Sequence, residues 1–450
     1  MNGLNKKRFM NIRPSNGSTF SFRDGVNVMR FDVADIPAIM DSPNLRLKCN
    51  IQITQAGNPI PFNTNVNIDR VLSLNGVIDR LVVKSRRYGG TLEQINHYPR
   101  LVSSILSANA NSKKLITERY LQGCSVGKSC LNKEQETRDA RLPQMSGAAT
   151  TNTGVNAVRK VGELAAGQDV CLKLHTGLFE SALDLDAYGG LTVDIYLNSV
   201  ESMLWGNGAT ATLTYTINNP SLIVPVVYKN ANQTAQDRDA PQRNLSFLTW
   251  TSLYGVLDST EQNLVYRLFM KGLLSMLTNF IPTGHNSTTT YNSQALHDPG
   301  VTRFSVSKDG VRYPNHYTAQ VQDEVAGSQY NNGEDVGRVS MKPQLLYNYI
   351  SVFKNVKDAT SSELVPENIV GIAKNDSVFG LGVSFDKISS GLPSVSGTIS
   401  QNIVSTIQNP RMLATETALN WSGTTPYSAY SFFLNRNNVI VDRQRGIIVV

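Results

Sequence analysis

The chain has 450 residues, of which 40% are hydrophobic and 17% charged, with a formal net charge of +7 at pH 7. That length is too great for one ordinary core and suits two domains of roughly 200 residues each. The low charge density leaves a surface of Asn, Ser, Thr and Gly that tolerates close neighbours, and a basic excess spread over the whole chain is only a weak pointer to anionic partners.

The four cysteines, Cys49, Cys124, Cys130 and Cys171, have neither zinc-ribbon spacing nor the density of a disulfide scaffold, so reduced structural thiols and folding in the cytosol or nucleus are expected. No apolar stretch follows Lys6, Lys7 and Arg8, so no secretory signal peptide is expected. Nor does any apolar run approach the roughly 18 residues of a membrane span.

Residues 1 to about 44, punctuated by Pro14, Gly17, Gly25, Pro37 and Pro43, read as an extended arm. From Leu45 to Ile53 every odd residue is apolar (Leu45, Leu47, Cys49, Ile51, Ile53) and every even one polar (Arg46, Lys48, Asn50, Gln52), the period of a half-buried strand. The alternation returns at Leu191, Val193, Ile195 and Leu197, at Leu213, Tyr215 and Ile217, and at Phe379, Leu381, Val383 and Phe385. Between these, Thr91-Leu92-Glu93-Gln94 has the form of a capping box, which predicts a helix with Leu92, Ile95, Val102 and Ile105 facing inward and a kink or break at Pro99. Residues 143 to 168 read as a surface loop, and strands resume from Val170 to about Tyr228.

Residues 229 to 243 offer almost nothing to bury and read as the linker between halves. A second capping box, Ser259-Thr260-Glu261-Gln262, precedes Leu264, Val265, Leu268, Leu273 and Leu274, which fit the apolar face of a helix or a bent strand. Loop-like tracts follow at 283 to 299 and 325 to 338, and strand patterns run from Val378 to Val450. Thr176-Gly177-Leu178 and Ser390-Gly391-Leu392, about half the chain apart, each precede a strand and hint at duplication. The expected organisation is an arm at 1–44, one β-domain at 45–238 and a second at 239–450, in an all-β fold with minor helices that favours a sandwich or jelly-roll pair.

Motifs that would carry chemistry fail on spacing. Gly123 to Ser129 is one residue short of a phosphate-binding loop, with Gln122 where the first glycine belongs, and no buried strand feeds it. His97, His175, His285, His297 and His316 show no metal-ligand pairing, so satisfied or exposed imidazoles are expected. Gly391 to Gly397 lacks the nucleophile-elbow spacing. Asp184 and Asp186 read as strand-edge or turn residues rather than a glycosidase pair, and the basic cluster at Lys84, Arg86 and Arg87 reads as solvated charge. No catalytic, metal or cofactor residue is therefore assigned, and no enzyme activity or small-molecule substrate is expected.

Phe20 to Val33, then Leu81 to Arg87 followed by Thr91 to Tyr98, resembles the first jelly roll of the double jelly-roll major capsid proteins of polinton-like viruses and virophages. Leu174 to Ala182 and Gly189 to Leu197 resemble later strands of that roll, while Val301 to Pro314, Tyr347 to Phe353 and Phe379 to Phe385 carry a looser likeness in the second half. The resemblance implies two tandem eight-stranded jelly rolls and a virion protein made and assembled in the host cytoplasm or nucleus. Three copies would form a pseudo-hexagonal capsomer that tiles an icosahedral shell around a DNA genome. The implied partners are other copies of the chain, neighbouring capsomers and minor capsid or penton proteins.

In that setting Lys6, Lys7, Arg8 and Arg13, beside Leu4, Phe9, Met10 and Ile12, are the candidate interior-facing residues. The arm is expected to order only on assembly, under a neighbouring capsomer or against an anionic surface such as an internal membrane or the genome. Two rival readings share the strand pattern. A spike or vertex protein of such a virus is disfavoured by the duplicated halves. A β-sandwich carbohydrate-binding protein or glycosidase is disfavoured by the wide separation of Trp205, Trp250 and Trp421 and the lack of a carboxylate pair.

Overall fold

The computed structural model describes residues 7–23, 25–59, 67–69, 72–108, 167–205, 213–239, 242–270, 272–284, 293–294, 296, 299, 301–308, 311–313, 351–353, 380–385, 395–405, 426–442 and 446–449. The first half supplies β1 (Lys7–Ile12), β2 (Thr19–Ser21), β3 (Val28–Val33), β4 (Ala38–Met40), β5 (Arg46–Gln55), β6 (Asn58–Pro59), β7 (Asn67–Ile68), β8 (Ile78–Ser85) and β9 (Thr91–Ile95). Helix α1 (Tyr98–Ala108), β10 (Gln168–Lys173), β11 (Leu183–Asp184), the one-turn helix α2 (Leu185–Tyr188), β12 (Leu191–Leu197), α3 (Val200–Met203), β13 (Leu204–Trp205) and β14 (Leu213–Tyr228) complete it. Helix α4 (Ala231–Asp239) leads to β15 (Gln242–Leu257), β16 (Glu261–Met270), β17 (Leu273–Pro282), β18 (Val301–Lys308), β19 (Val311–Tyr313), β20 (Leu381–Ser384), β21 (Val395–Ser405), β22 (Tyr427–Asp442) and β23 (Gly446–Val449).

Both halves are wired alike. In the first, one sheet contains the run β1–β14–β5–β10 and the other the run β3–β12–β8–β9. Taking its eight principal strands in chain order, these runs read first–eighth–third–sixth and second–seventh–fourth–fifth. The second half gives β15–β22–β17–β20 and β16–β21–β18–β19, the same two orders, with every pair antiparallel. Sending successive strands to opposite sheets, except for the fourth-to-fifth hairpin, lets each sheet cover the apolar face of the other. Gly177 lies between the sixth and seventh strands of the first half, and Gly391 occupies the corresponding chain position between β20 and β21.

The period-two reading holds where one face meets the core. On β5, Leu47, Cys49, Ile51 and Ile53 are buried, while Lys48 is exposed. It fails on β17, where all ten residues are buried. Leu274, Leu277 and Ile281 of β17, with Phe432 and Leu434 of β22, join the core of the first half. Leu273, Met276 and Phe280, with Phe433, face the β16–β21–β18 sheet. A sheet covered on both sides loses its polar alternation, so its sequence mimics a helix face.

Four expectations are corrected. The stretch read as an extended arm carries the first and second principal strands, β1 and β3, which pair with β14 and β12 of the first half. Its alternation is weak because β1 pairs along only one edge, to β14, and packs only Met10 and Ile12 against the core. Thr91-Leu92-Glu93-Gln94 is strand β9, and the helix starts at Tyr98 with Pro99 in its first turn, where an amide hydrogen is dispensable. The second capping box closes a tight turn instead: the Asp258 N–H donates to Gln262 Oε1 (2.8 Å), and Gln262 Nε2 donates to the Val256 carbonyl (2.7 Å). Beyond it β16 is a strand, with Leu264 and Tyr266 buried and Val265 exposed between them.

The supposed linker does bury something. The Lys229 side chain, 4% exposed, is paired with Asp184 and Asp237. Arg243 lies 3.0 Å from both of those carboxylates and 3.6 Å from Asp186. The residues flanking α4, Lys229 and Arg243, thereby tie Asp237 of the helix to the Asp184 and Asp186 carboxylates at the start of α2. The tracts at 325–338 and Gly123–Ser129, most of 143–168 and of 283–299, and Cys124, Cys130, Trp421, His285, His297, His316 and Lys6 lie outside the described residues.

Candidate functional site

Among the described residues no group of three or more His, Cys, Asp or Glu side chains is placed to hold a metal ion. Asp184 and Asp186 are engaged by Lys229 and Arg243, and Asp184 also caps α2 by accepting from the Ala187 N–H. Lys84 is not free solvated charge but joins Arg30 on the fully buried Asp194, at 3.2 and 2.7 Å, across β8, β12 and β3. That contact raises the Arg30 pKa, through the hydrogen bond to Asp194 and then its charge.

The most developed polar geometry lies where the halves join. Strand β9 of the first half and β15 of the second run parallel and share one bridged pair, Gln94 with Thr251. Among the described residues, side chains and a turn carry further contacts across this seam. The Glu93 carboxylate is buried and accepts three backbone amides: Gly177 (3.0 Å) and Trp250 (2.7 Å) at Oε1, and Leu178 (2.9 Å) at Oε2. Thus one carboxylate gathers donors from both halves. Burial pushes its pKa up to about 7, against the opposing pull of these amides and the Thr176 hydroxyl.

Gly177 rests on the second half's backbone, where an added Cβ would lie 2.8 Å from the Leu248 carbonyl carbon and oxygen and from the Thr249 nitrogen. Nearby, the Asn96 N–H donates to Ser252 Oγ (2.9 Å), and the His175 N–H donates to Tyr98 Oη (2.7 Å).

Helix α1 extends the seam. Ser104 Oγ donates to Asn279 Oδ1 (3.0 Å), and Asn279 Nδ2 donates to the Arg100 carbonyl (3.0 Å). The Arg100 guanidinium stacks 5.2 Å from the Tyr430 ring and donates to the Ser293 carbonyl. His97, held at a φ of 53°, packs edge-on to Tyr430 at 4.8 Å. Burial lowers the pKa of both His97 and Arg100 and raises that of Asp79. A cleft of about 340 Å³ opens on the seam between Glu180, Phe247, Leu274 and Arg436. These groups position chain segments, and no nucleophile, base and orienting group stand together among them.

The predicted basic residues sit elsewhere. Lys7 pairs with Asp41 at 2.5 Å, Arg8 stacks 5.5 Å from the Tyr228 ring, Arg13 is exposed just past β1, and Phe9 between them is 68% exposed.

No protein-family model matches the sequence, and no curated protein matches it. Solved structures do match along nearly the whole chain. A chain of the Sputnik virophage, solved at 3.5 Å by cryo-EM, aligns with a TM-score of 0.56 at 10% identity, covering 99% of this chain and 88% of that one. The Faustovirus major capsid protein aligns at 0.53 and 9% identity, covering 96% and 90%. The fold is a double jelly roll. PBCV-1 VP54, fitted into a reconstruction of Sputnik, aligns at 0.51 and 10% identity over 99% and 97% of the two chains. At such identity the shared property is the double jelly roll itself, recognisable here by the twice-repeated strand order.

Proposed function

We propose that the chain is a major capsid protein whose product is its own shape. The observation that carries this is the fold: two jelly rolls of identical wiring, side by side through a shared nine-stranded sheet, aligned over their full length with shell proteins. Two similar lobes per chain give a trimer six similar lobes, which is the outline needed to tile a flat hexagonal lattice. On this reading the chain is a non-enzymatic component of the virion. It assembles with copies of itself, with neighbouring capsomers and with minor capsid or penton proteins around a DNA genome. The boundary between lobes falls in the α4 segment, near Asp239.

Light scattering on the purified chain is expected to give three times the monomer mass, with each contact burying more than roughly 2,000 Å² as obligate interfaces do. A monomer at micromolar concentration with no larger species would remove the reading.

Lys6, Lys7, Arg8 and Arg13 are assigned to the particle interior, facing an anionic surface such as membrane or genome. Deleting the segment would remove β1, so charge reversal is the sharper test. Arg8→Glu with Arg13→Glu is expected to leave trimers intact and reduce closed shells, and normal shells from the double variant would refute the assignment.

A further inference from the structure

Glu93 is a buried carboxyl on β9, the strand of the first jelly roll that pairs with β15 of the second. Its Oε1 takes two amides, from Gly177 and Trp250, as a carbonyl oxygen with two lone pairs can. Its Oε2 takes one amide, from Leu178, and sits beside the Thr176 hydroxyl. Thr176 Oγ1 accepts a single amide, from Phe179 at 2.9 Å, which leaves it a lone pair. A protonated Glu93 therefore meets every partner: Oε1 accepts twice, Oε2 accepts once, and the Oε2 proton goes to Thr176. Ionisation keeps the three amides and turns the Thr176 hydroxyl into a fourth donor, but it places a net charge in a fully buried seam where, among the described residues, no cationic group hydrogen-bonds to it, and burial outweighs the four donors.

We propose that Glu93 makes the joint between the two jelly rolls pH-responsive, held more firmly at mildly acidic than at alkaline pH. The neighbouring titratable groups do not cancel the effect. Tyr98 of α1 faces the carboxyl, and burial, reinforced by the Glu93 charge, drives its own ionisation far up. The turn that supplies the amides lies between His175 and Glu180. Strand β8 carries Asp79, Arg80 and Lys84, with Lys84 engaged by Asp194, Arg80 stacked on Tyr196 and uncharged Val83 opposite Glu93. Strand β15 carries no ionisable side chain from Asn244 to Leu253. The unfolded chain releases the Glu93 proton near pH 4.3, as a free glutamate does, whereas the folded chain holds it until about 7. The stabilisation from this group is therefore complete below the unfolded value and lost as pH rises through the folded one.

The test is urea unfolding of the full chain at pH 5.5 to 8.5, wild type against Glu93→Gln, which keeps the shape and is neutral throughout. The folding equilibrium constant of the wild type is expected to fall about 30-fold more across that range than that of the variant, because the folded value of about 7 lies roughly one and a half pH units above the start of the range. Parallel profiles would overturn the proposal. So would a wild type that gains stability with pH, since the amides would then hold the group ionised. Should the variant not fold, carboxyl-carbon NMR of ¹³C-glutamate-labelled wild type decides: one resonance titrating near neutrality is expected, and none between pH 6 and 8 refutes.

Discussion

Replacing Gly177 with alanine tests the joint where the two jelly rolls come closest. The glycine has φ −64° and ψ −41°, ordinary right-handed values, so alanine meets no backbone strain there. In open space the substitution would stabilise by about 0.4–1 kcal/mol, because the unfolded chain loses freedom. Here the new Cβ would stand 2.8 Å from three backbone atoms of Leu248 and Thr249, about 1 Å inside normal contact. Backbone cannot turn aside as a long side chain can, so the turn must withdraw.

Overpacking of this kind costs about 1–3 kcal/mol. Withdrawal also lengthens the bonds that the Gly177 and Leu178 amides make to Glu93, now 3.0 and 2.9 Å, each of a type worth about 1.5–3 kcal/mol. Part of that is kept, and the net expectation is a loss of about 2–4 kcal/mol. Urea unfolding followed by tryptophan fluorescence reads it directly, since Trp250 is 1% exposed and donates to the same carboxylate. Gly90→Ala is the control: nothing lies within 4 Å of its added Cβ, and it should stay within about 0.5 kcal/mol of wild type. If Gly177→Ala is as stable as wild type, the two rolls do not meet at this point.

Asp194→Asn should destabilise by only about 1 kcal/mol, because Arg30 and Lys84 can turn to water when their shared partner is gone; a loss several-fold larger in the unfolding midpoint would show that the cluster is sealed from solvent. Cys49 is buried and its thiol is pushed up to about 12 by burial, so peptide mapping after thiol alkylation of the native protein should find it unmodified, with the part-exposed Cys171 reacting ahead of it. Asp237 is driven upward by burial but more strongly downward by Lys229 and Arg243, for a net lowering. Its contribution is present above the free carboxylate value and lost as pH falls through the lowered one, so Asp237→Asn should flatten part of the acid limb of stability and leave the region above pH 6 unchanged.

Strands with one wet face were legible because their residues alternate, as on β5 and β12. The edge strand β1 was not, since a strand paired on one side with an exposed Phe9 has too little apolar signal to separate from an arm. Both capping-box readings failed for a common reason. Thr91 and Ser259 precede a Gln by three residues, a local helix signal, but β9 is laddered to its hairpin neighbour β8 and β16 to the remote β21, and the sheet ladder prevails. Glu93 was unreadable as a structural keystone because its partners Gly177 and Trp250 lie 84 and 157 residues away. What the sequence does carry there is a carboxylate between Leu92 and Ile95 in a stretch that otherwise alternates badly.

The double coverage of β17 and β22 fixes an order of birth. All eight principal strands of the first jelly roll precede residue 229, so its two runs can pair before the second lobe has been made. The second lobe differs: without a finished neighbour, Leu274, Leu277, Ile281, Phe432 and Leu434 would face water as one apolar wall. Translation from the N-terminus resolves this, since the covering half is folded by the time the wall is made. A circular permutant that exported the second lobe first, or that lobe expressed alone, would present the same wall to its own kind and leave solution as aggregate.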